Sequence, residues 1–154
     1  MTNLRKPSLN SSPKPPHEMA PIRSQADLER HWRLLMGPLG FARPQLWLNV
    51  LAPGGQPTSF LAHLEDLPAE PDVQLLDRVM EINRQLLDSR AVDGSLALLL
   101  ARPGPDRRTG SDVVWAAALT EAAGSCGIPL RPIYLATDTD IRIISPDDLL
   151  AASA

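Results

Sequence analysis

Six consecutive apolar residues, Leu96 to Ala101, stand between Gly94-Ser95 and the break Arg102-Pro-Gly-Pro-Asp-Arg-Arg108. A run this short is a poor helix, and an apolar stretch bounded by turn signals reads as a strand buried on both faces. Such a strand belongs at the centre of a sheet and commits the chain to covering layers on both sides. The loop after it leads into Thr109-Gly-Ser-Asp112, which opens a helix. The carboxyl end of a central strand beside a helix N-terminus is where α/β folds usually place their chemistry. Here that loop holds Arg102, Arg107, Arg108 and Asp106, with no histidine, cysteine or serine nucleophile.

The remaining elements arrange themselves around that strand. Ser24-Gln-Ala-Asp27 has the form of a capping box, and Leu28, Trp32, Leu35 and Met36 follow at helical spacing until Gly37-Pro38. Residues 45–51 and 58–64 read as the strands of a hairpin around Ala52-Pro-Gly-Gly-Gln56. Asp72 caps a helix running to about Ser89. Its stripe Leu75, Val79, Ile82 and Leu86, widened by Leu76, Met80 and Leu87, makes a face broad enough to pack on a sheet. A helix from near Ser111 to Gly124 or Gly127 carries Trp115, Ala118, Leu119 and Ala122 on one side. Residues 129–136 and 141–144 read as two more strands, and Ser145-Pro-Asp-Asp148 as the start of a short C-terminal helix. The expected fold is α/β, a mixed five-stranded sheet flanked by helices and preceded by an N-terminal helix, occupying residues 24–154 as a single domain.

Residues 1–23 carry Pro7, Pro13, Pro15, Pro16 and Pro21 among Ser, Asn and Lys, and are expected to form a disordered tail. Its Pro-Lys-Pro-Pro core also suits docking as a polyproline helix. With 154 residues, 44% of them hydrophobic, the chain can bury roughly 70% of its unfolded surface. A net charge of −3 gives no global attraction to phosphate backbones, so nucleic acid is not an expected partner. No apolar run approaches a membrane span. Cys126, the single cysteine, offers no internal disulfide or metal cluster and reads as a packed thiol; this fits a reducing compartment, and the expected location is cytoplasmic.

Three groups of residues remain as candidate sites. His31, beside Trp32, reads as a packed or surface histidine. Period-2 geometry puts Leu61, His63 and Glu65 on one strand face, where His63 and Glu65 either approach one metal ion or form a solvated polar edge. Arg102, Arg107 and Arg108 near a helix N-terminus suit an anionic group, partly offset by Asp106 and Asp112, or form a solvated loop. Arg102 and Asp112 are also placed to form an internal ion pair.

The buried strand, the proline loop, the helix start with Asp112, the Gly127-Ile-Pro-Leu130 turn, the strand ending in Ile144-Ser145 and the final Asp147-Asp-Leu-Leu150 together resemble the RadC-like branch of the JAB/MPN metalloprotease-type fold. With the preceding hairpin and long helix in the same order, the resemblance spans residues 45–150. The chain is also similar to short actinobacterial-type proteins with this order of elements. The family's mark is a His-x-His-Pro segment ending the strand and an aspartate in the next helix. With a glutamate from an earlier strand, these serve a zinc ion and its activated water. Leu100-Ala101-Arg102-Pro103 stands where His-x-His-Pro would be, Asp112 falls at the aspartate after a one-residue deletion, and Glu65 is the nearest acid to the remaining position. Leucine cannot ligate zinc, and Arg102 brings a fixed positive charge. The resemblance therefore implies a degenerate member with no catalytic residue, metal ligand or cofactor. Its expected role is a non-catalytic interaction or regulatory module using Arg102, Arg107, Arg108 and Asp112, with an unidentified protein or a second copy of itself as partner. The rival readings are a metal-dependent hydrolase using His63, Glu65 and Asp112, and a domain binding a small anionic ligand.

Overall fold

The structure is a computed structural model that describes residues 19–145. Helix α1 spans Gln25–Met36, followed by strands β1 (Gln45–Leu51) and β2 (Pro57–Glu65), helix α2 (Val73–Arg90), strand β3 (Ser95–Ala101), helix α3 (Gly110–Ser125), and strands β4 (Tyr134–Ala136) and β5 (Ile141–Ile143). The five strands form one mixed sheet in the order β2-β1-β3-β4-β5. β1 runs antiparallel to both β2 and β3, β3 is parallel to β4, and β4 is antiparallel to β5.

Alternation along the strands divides the core in two. Leu46, Leu48, Leu96, Leu98 and Leu100 point toward α2 and α3. Leu51, Ala97, Leu99, Tyr134 and Ile141 point toward Leu28 and Trp32 of α1. β3 is buried on both faces, with no residue from Leu96 to Ala101 more than 5% exposed. Gly94 lets the chain enter it, because a Cβ there would fall 2.2 Å from the Leu51 carbonyl oxygen.

Three expectations need correction. In α2 the buried positions are Leu76, Met80, Asn83 and Leu87, whereas Ile82, placed at the centre of the expected stripe, is 58% exposed. Both sets recur at helical spacing, and which one turns inward is decided by the packing of α3 against the opposite flank. The fourth strand is shorter than residues 129–136, because Pro129 and Pro132 carry no N–H for the ladder; only a bridge from Leu130 to Leu96 precedes β4. The ordered domain begins before residue 24. Ile22 is 1% exposed, its N–H donates to the Gly55 carbonyl at 2.8 Å, and Arg131 donates to its carbonyl at 3.1 Å. Gly55 permits this contact, since a Cβ there would lie 1.9 Å from the Ile22 oxygen. The rest of the expected tail, residues 1–18, and the expected C-terminal helix beyond Ser145 lie outside the described residues.

α1 begins on the expected capping box, with Asp27 N–H donating to Ser24 Oγ. It carries His31 into the interior, where Nε2 meets Asn49 Oδ1 at 2.8 Å. Asn49 Nδ2 donates to the Thr58 and Phe60 carbonyls, which leaves Oδ1 as an acceptor and puts the hydrogen on His31 Nε2. Among the described residues, His31 Nδ1 and Trp32 Nε1 have no hydrogen-bond partner. Cys126 caps the C-terminus of α3, partly buried against the core. No described helix is long and apolar enough to cross a membrane.

Two predictions follow from this packing. Burial holds the His31 pKa below its ordinary 6.5. The unfolded state therefore takes up the proton first, so stability is complete above about pH 6.5 and declines below it by up to ~1.4 kcal/mol per pH unit. Denaturant titrations at about pH 7 and pH 5.5 should show this decline, with a smaller slope in His31→Gln. Separately, Ile22→Ala should cost ~2–4 kcal/mol in the same assay, whereas a freely solvated Ile22 would cost almost nothing.

Candidate functional site

β3 ends by delivering Arg102 to the start of α3. The N-cap of α3 is Thr109, whose Oγ1 accepts from Asp112 N–H at 3.2 Å, while Asp112 Oδ2 accepts from Thr109 N–H at 2.8 Å. This closed capping box fixes the Asp112 side chain at the positive end of the helix. Arg102 reaches it with a two-pronged fork, Nε to Oδ1 and Nη2 to Oδ2, both at 2.8 Å. The side chains are 16% and 6% exposed, respectively. The hydrogen bonds that Arg102 donates to Asp112 raise its pKa against the opposing effect of burial.

The rest of the guanidinium is also occupied. Nη1 donates to the Pro103 carbonyl at 3.0 Å and Nη2 to the Arg107 carbonyl at 2.6 Å, so Arg102 ties down the loop that follows it. Asp138 in the β4–β5 turn holds the same loop, accepting from Gly104 N–H at 2.9 Å and donating its own N–H to the Gly104 carbonyl at 3.2 Å. Arg142 on β5 pairs with Asp106.

Above the pair lies a cavity of about 290 Å3, walled by Leu67, Pro68, Leu100 and Trp115, with Arg102 and Asp112 at one side. The segment after β2 roofs it and is pinned to α3: Trp115 Nε1 donates to the Pro68 carbonyl at 3.0 Å, and Ser111 Oγ to the Ala69 carbonyl at 2.7 Å. This location follows from the topology. β1 is antiparallel to both of its neighbours, so the end of β2 and the end of β3 emerge on the same side of the sheet. From sequence Leu67 carries no signal, Pro68 reads as a loop residue, Ser111 as a helix start and Trp115 as part of a packing stripe, none of them as a candidate site residue. The signal that finds them is this shared end of the hairpin and the central strand.

Arg102 and Asp112 are thus brought together, whereas Arg107 and Arg108 are exposed and line a separate cleft of about 230 Å3 with Asp106 and Arg142. The metal set of the rival reading is not assembled. Among the described residues, no three of His, Cys, Asp and Glu are grouped where they could hold an ion. His63 is instead stacked on Trp47 with ring centroids 4.4 Å apart, and its Nε2 lies 4.0 Å from Glu65 Oε1, both side chains being exposed. A zinc ion does not fit the residues at this end of the sheet: Leu100 has no donor atom, Arg102 is a cation, and both oxygens of Asp112 are already bonded. No protein-family model matches the chain. No curated protein matches it either.

Removing one member of a sheltered, hydrogen-bonded pair leaves the other charge uncompensated, at a cost of ~3 kcal/mol. Arg102→Met and Asp112→Asn should each destabilise by about that amount, and the double mutant by much less than their sum, with coupling above ~1 kcal/mol in chemical denaturation. Additive effects would show that the fork contributes nothing.

Proposed function

We propose that this chain is a non-catalytic binding module on a degenerate RadC-like fold, and that its apolar cavity receives a small, mostly apolar group presented by a partner. The observation that carries this reading is the closed state of the Arg102–Asp112 pair. A hydrolytic site needs a base or ligand with a lone pair facing the substrate. Here Asp112 accepts from Arg102 and Thr109 on both oxygens, and Arg102 donates to Asp112 and to loop carbonyls. What remains accessible beside them is an apolar wall of Leu67, Leu100 and Trp115. Ligand pockets are mostly apolar, with a few fixed polar groups. Support for the RadC-like assignment comes from the order of elements: a hairpin, a long helix, a central strand, a helix capped through Asp112, and two further strands.

The test is a pair of titrations followed by amide chemical shifts, one with zinc chloride and one with small aryl and branched aliphatic fragments. The fragments should shift Leu67, Leu100 and Trp115 saturably while zinc leaves Arg102 and Asp112 unmoved. Stoichiometric zinc uptake that displaces Arg102 from Asp112 would overturn the proposal.

A further inference from the structure

We propose that the outer edge of β2, together with the adjoining flank of α2, is the interface of a homodimer in which two copies of this chain pair their β2 strands antiparallel. β2 is the terminal strand on its side of the sheet and, at nine residues, presents a long edge. It carries no lysine or arginine, its only proline is its first residue, and its only charged group is Glu65 at its end. The register irregularity of the hairpin lies at the Asn49/Leu51 end, leaving the stretch opposite residues 45–49 regular.

Leu96 donates its N–H to the Pro129 carbonyl and accepts from the Arg131 N–H, so Ala97, Leu99 and Ala101 turn their main-chain groups toward β1, Leu46 and Leu48 turn theirs toward β2, and the partners Leu64 and Ala62 face inward. Alternation along the regular stretch then turns the main-chain groups of Leu61, His63 and Glu65 outward, away from β1. A twofold axis at Ala62 would set Leu61 against His63 of the second copy within the regular stretch, with Ser59 and Phe60 of the irregular stretch approaching Glu65 and Leu64. Acid then faces hydroxyl, apolar faces apolar, and no like charges oppose one another.

α2 supplies the area that a strand edge lacks, since stable dimers bury roughly 1,200–2,000 Å2 in total. α3 packs beside Val73 and Asp77 of α2, and Arg84 on the same side donates to the Gly127 carbonyl at 2.9 Å. The flank carrying Leu75, Val79, Ile82 and Leu86 is turned the other way, toward the β2 edge. Val79 and Leu86 rest there on the same core as Phe60 and Leu64, and Ile82 remains 58% exposed. Two copies joined through β2 bring these flanks face to face on one side of a continuous sheet.

Sedimentation equilibrium on the full chain tests the proposal, with Ile82→Glu and Ala62→Arg as variants at exposed positions. The wild type should be a dimer in the micromolar range, and each variant should weaken it at least about tenfold with an unchanged circular dichroism spectrum. Amide exchange should slow with rising protein concentration at Leu61 and His63, while Ala62 and Leu64 stay protected throughout. A chain that remains monomeric, including one that binds only a foreign strand at this edge, would overturn the proposal. So would a dimer indifferent to both variants and showing no concentration dependence at Leu61 and His63.

Discussion

β3 has no solvent face, and the rest of the molecule accommodates that constraint. Six residues buried on alternating sides require cover in two directions, supplied by α2 and α3 on one side and α1 on the other. Each leucine removed from water here contributes about 1.5–3 kcal/mol, so the alignment that seats them is strongly preferred over a one-residue slip. The strand's position also decides the electrostatics at its end. Arg102 emerges where the sheet, the α3 N-terminus and the roofing loop converge, and a guanidinium 16% exposed requires a carboxylate in reach. Asp112 meets that requirement from a position that the helix start already favours for an acid.

The two faces of the sheet are covered unequally. α2 and α3 lie side by side on one face, whereas α1 lies alone on the other, drawn toward β5 by Arg33, which donates to Asp140 Oδ1 at 2.6 Å and to the Ile141 carbonyl at 3.2 Å. That contact keeps the Asp140 pKa low. At the β1–β2 end of this face, Trp47 and His63 form a stacked pair at the surface. Asn49 marks the border between the covered and open parts, bonded on one side to His31 of α1 and on the other to carbonyls of β2.

Local chemistry was legible in the sequence wherever a few neighbouring residues decide it. The Ser24 and Thr109 starts, the Asp72 cap and the turn at Pro53 each satisfy backbone groups within a handful of positions, and residues 45–51 and 95–101 form strands from end to end. What escaped depends on partners distant in the chain. The inward stripe of α2 is selected by α3, and the ordering of Ile22 depends on Gly55 and Arg131, which no local propensity reports. The pairing of Arg102 with Asp112 was legible because strand end and helix start are only ten residues apart. The cavity was not, since its roof comes from Leu67 and Pro68, brought there by the hairpin.

The Arg102 fork also constrains what the neighbouring cavity can recognise. One side chain joins the end of β3, two loop carbonyls and the first turn of α3. A cation and an anion hydrogen-bonded to each other leave little net field, whereas a divalent ion would polarise anything entering the cavity. A group arriving beside Leu100 and Trp115 therefore meets shape and apolar surface rather than a strong charge. Discrimination among such groups rests on volume, with each methylene worth only about 1–3 kcal/mol. Under the proposed reading, selectivity must come largely from whatever presents the group to the cavity, which makes the surfaces around it as consequential as the cavity itself.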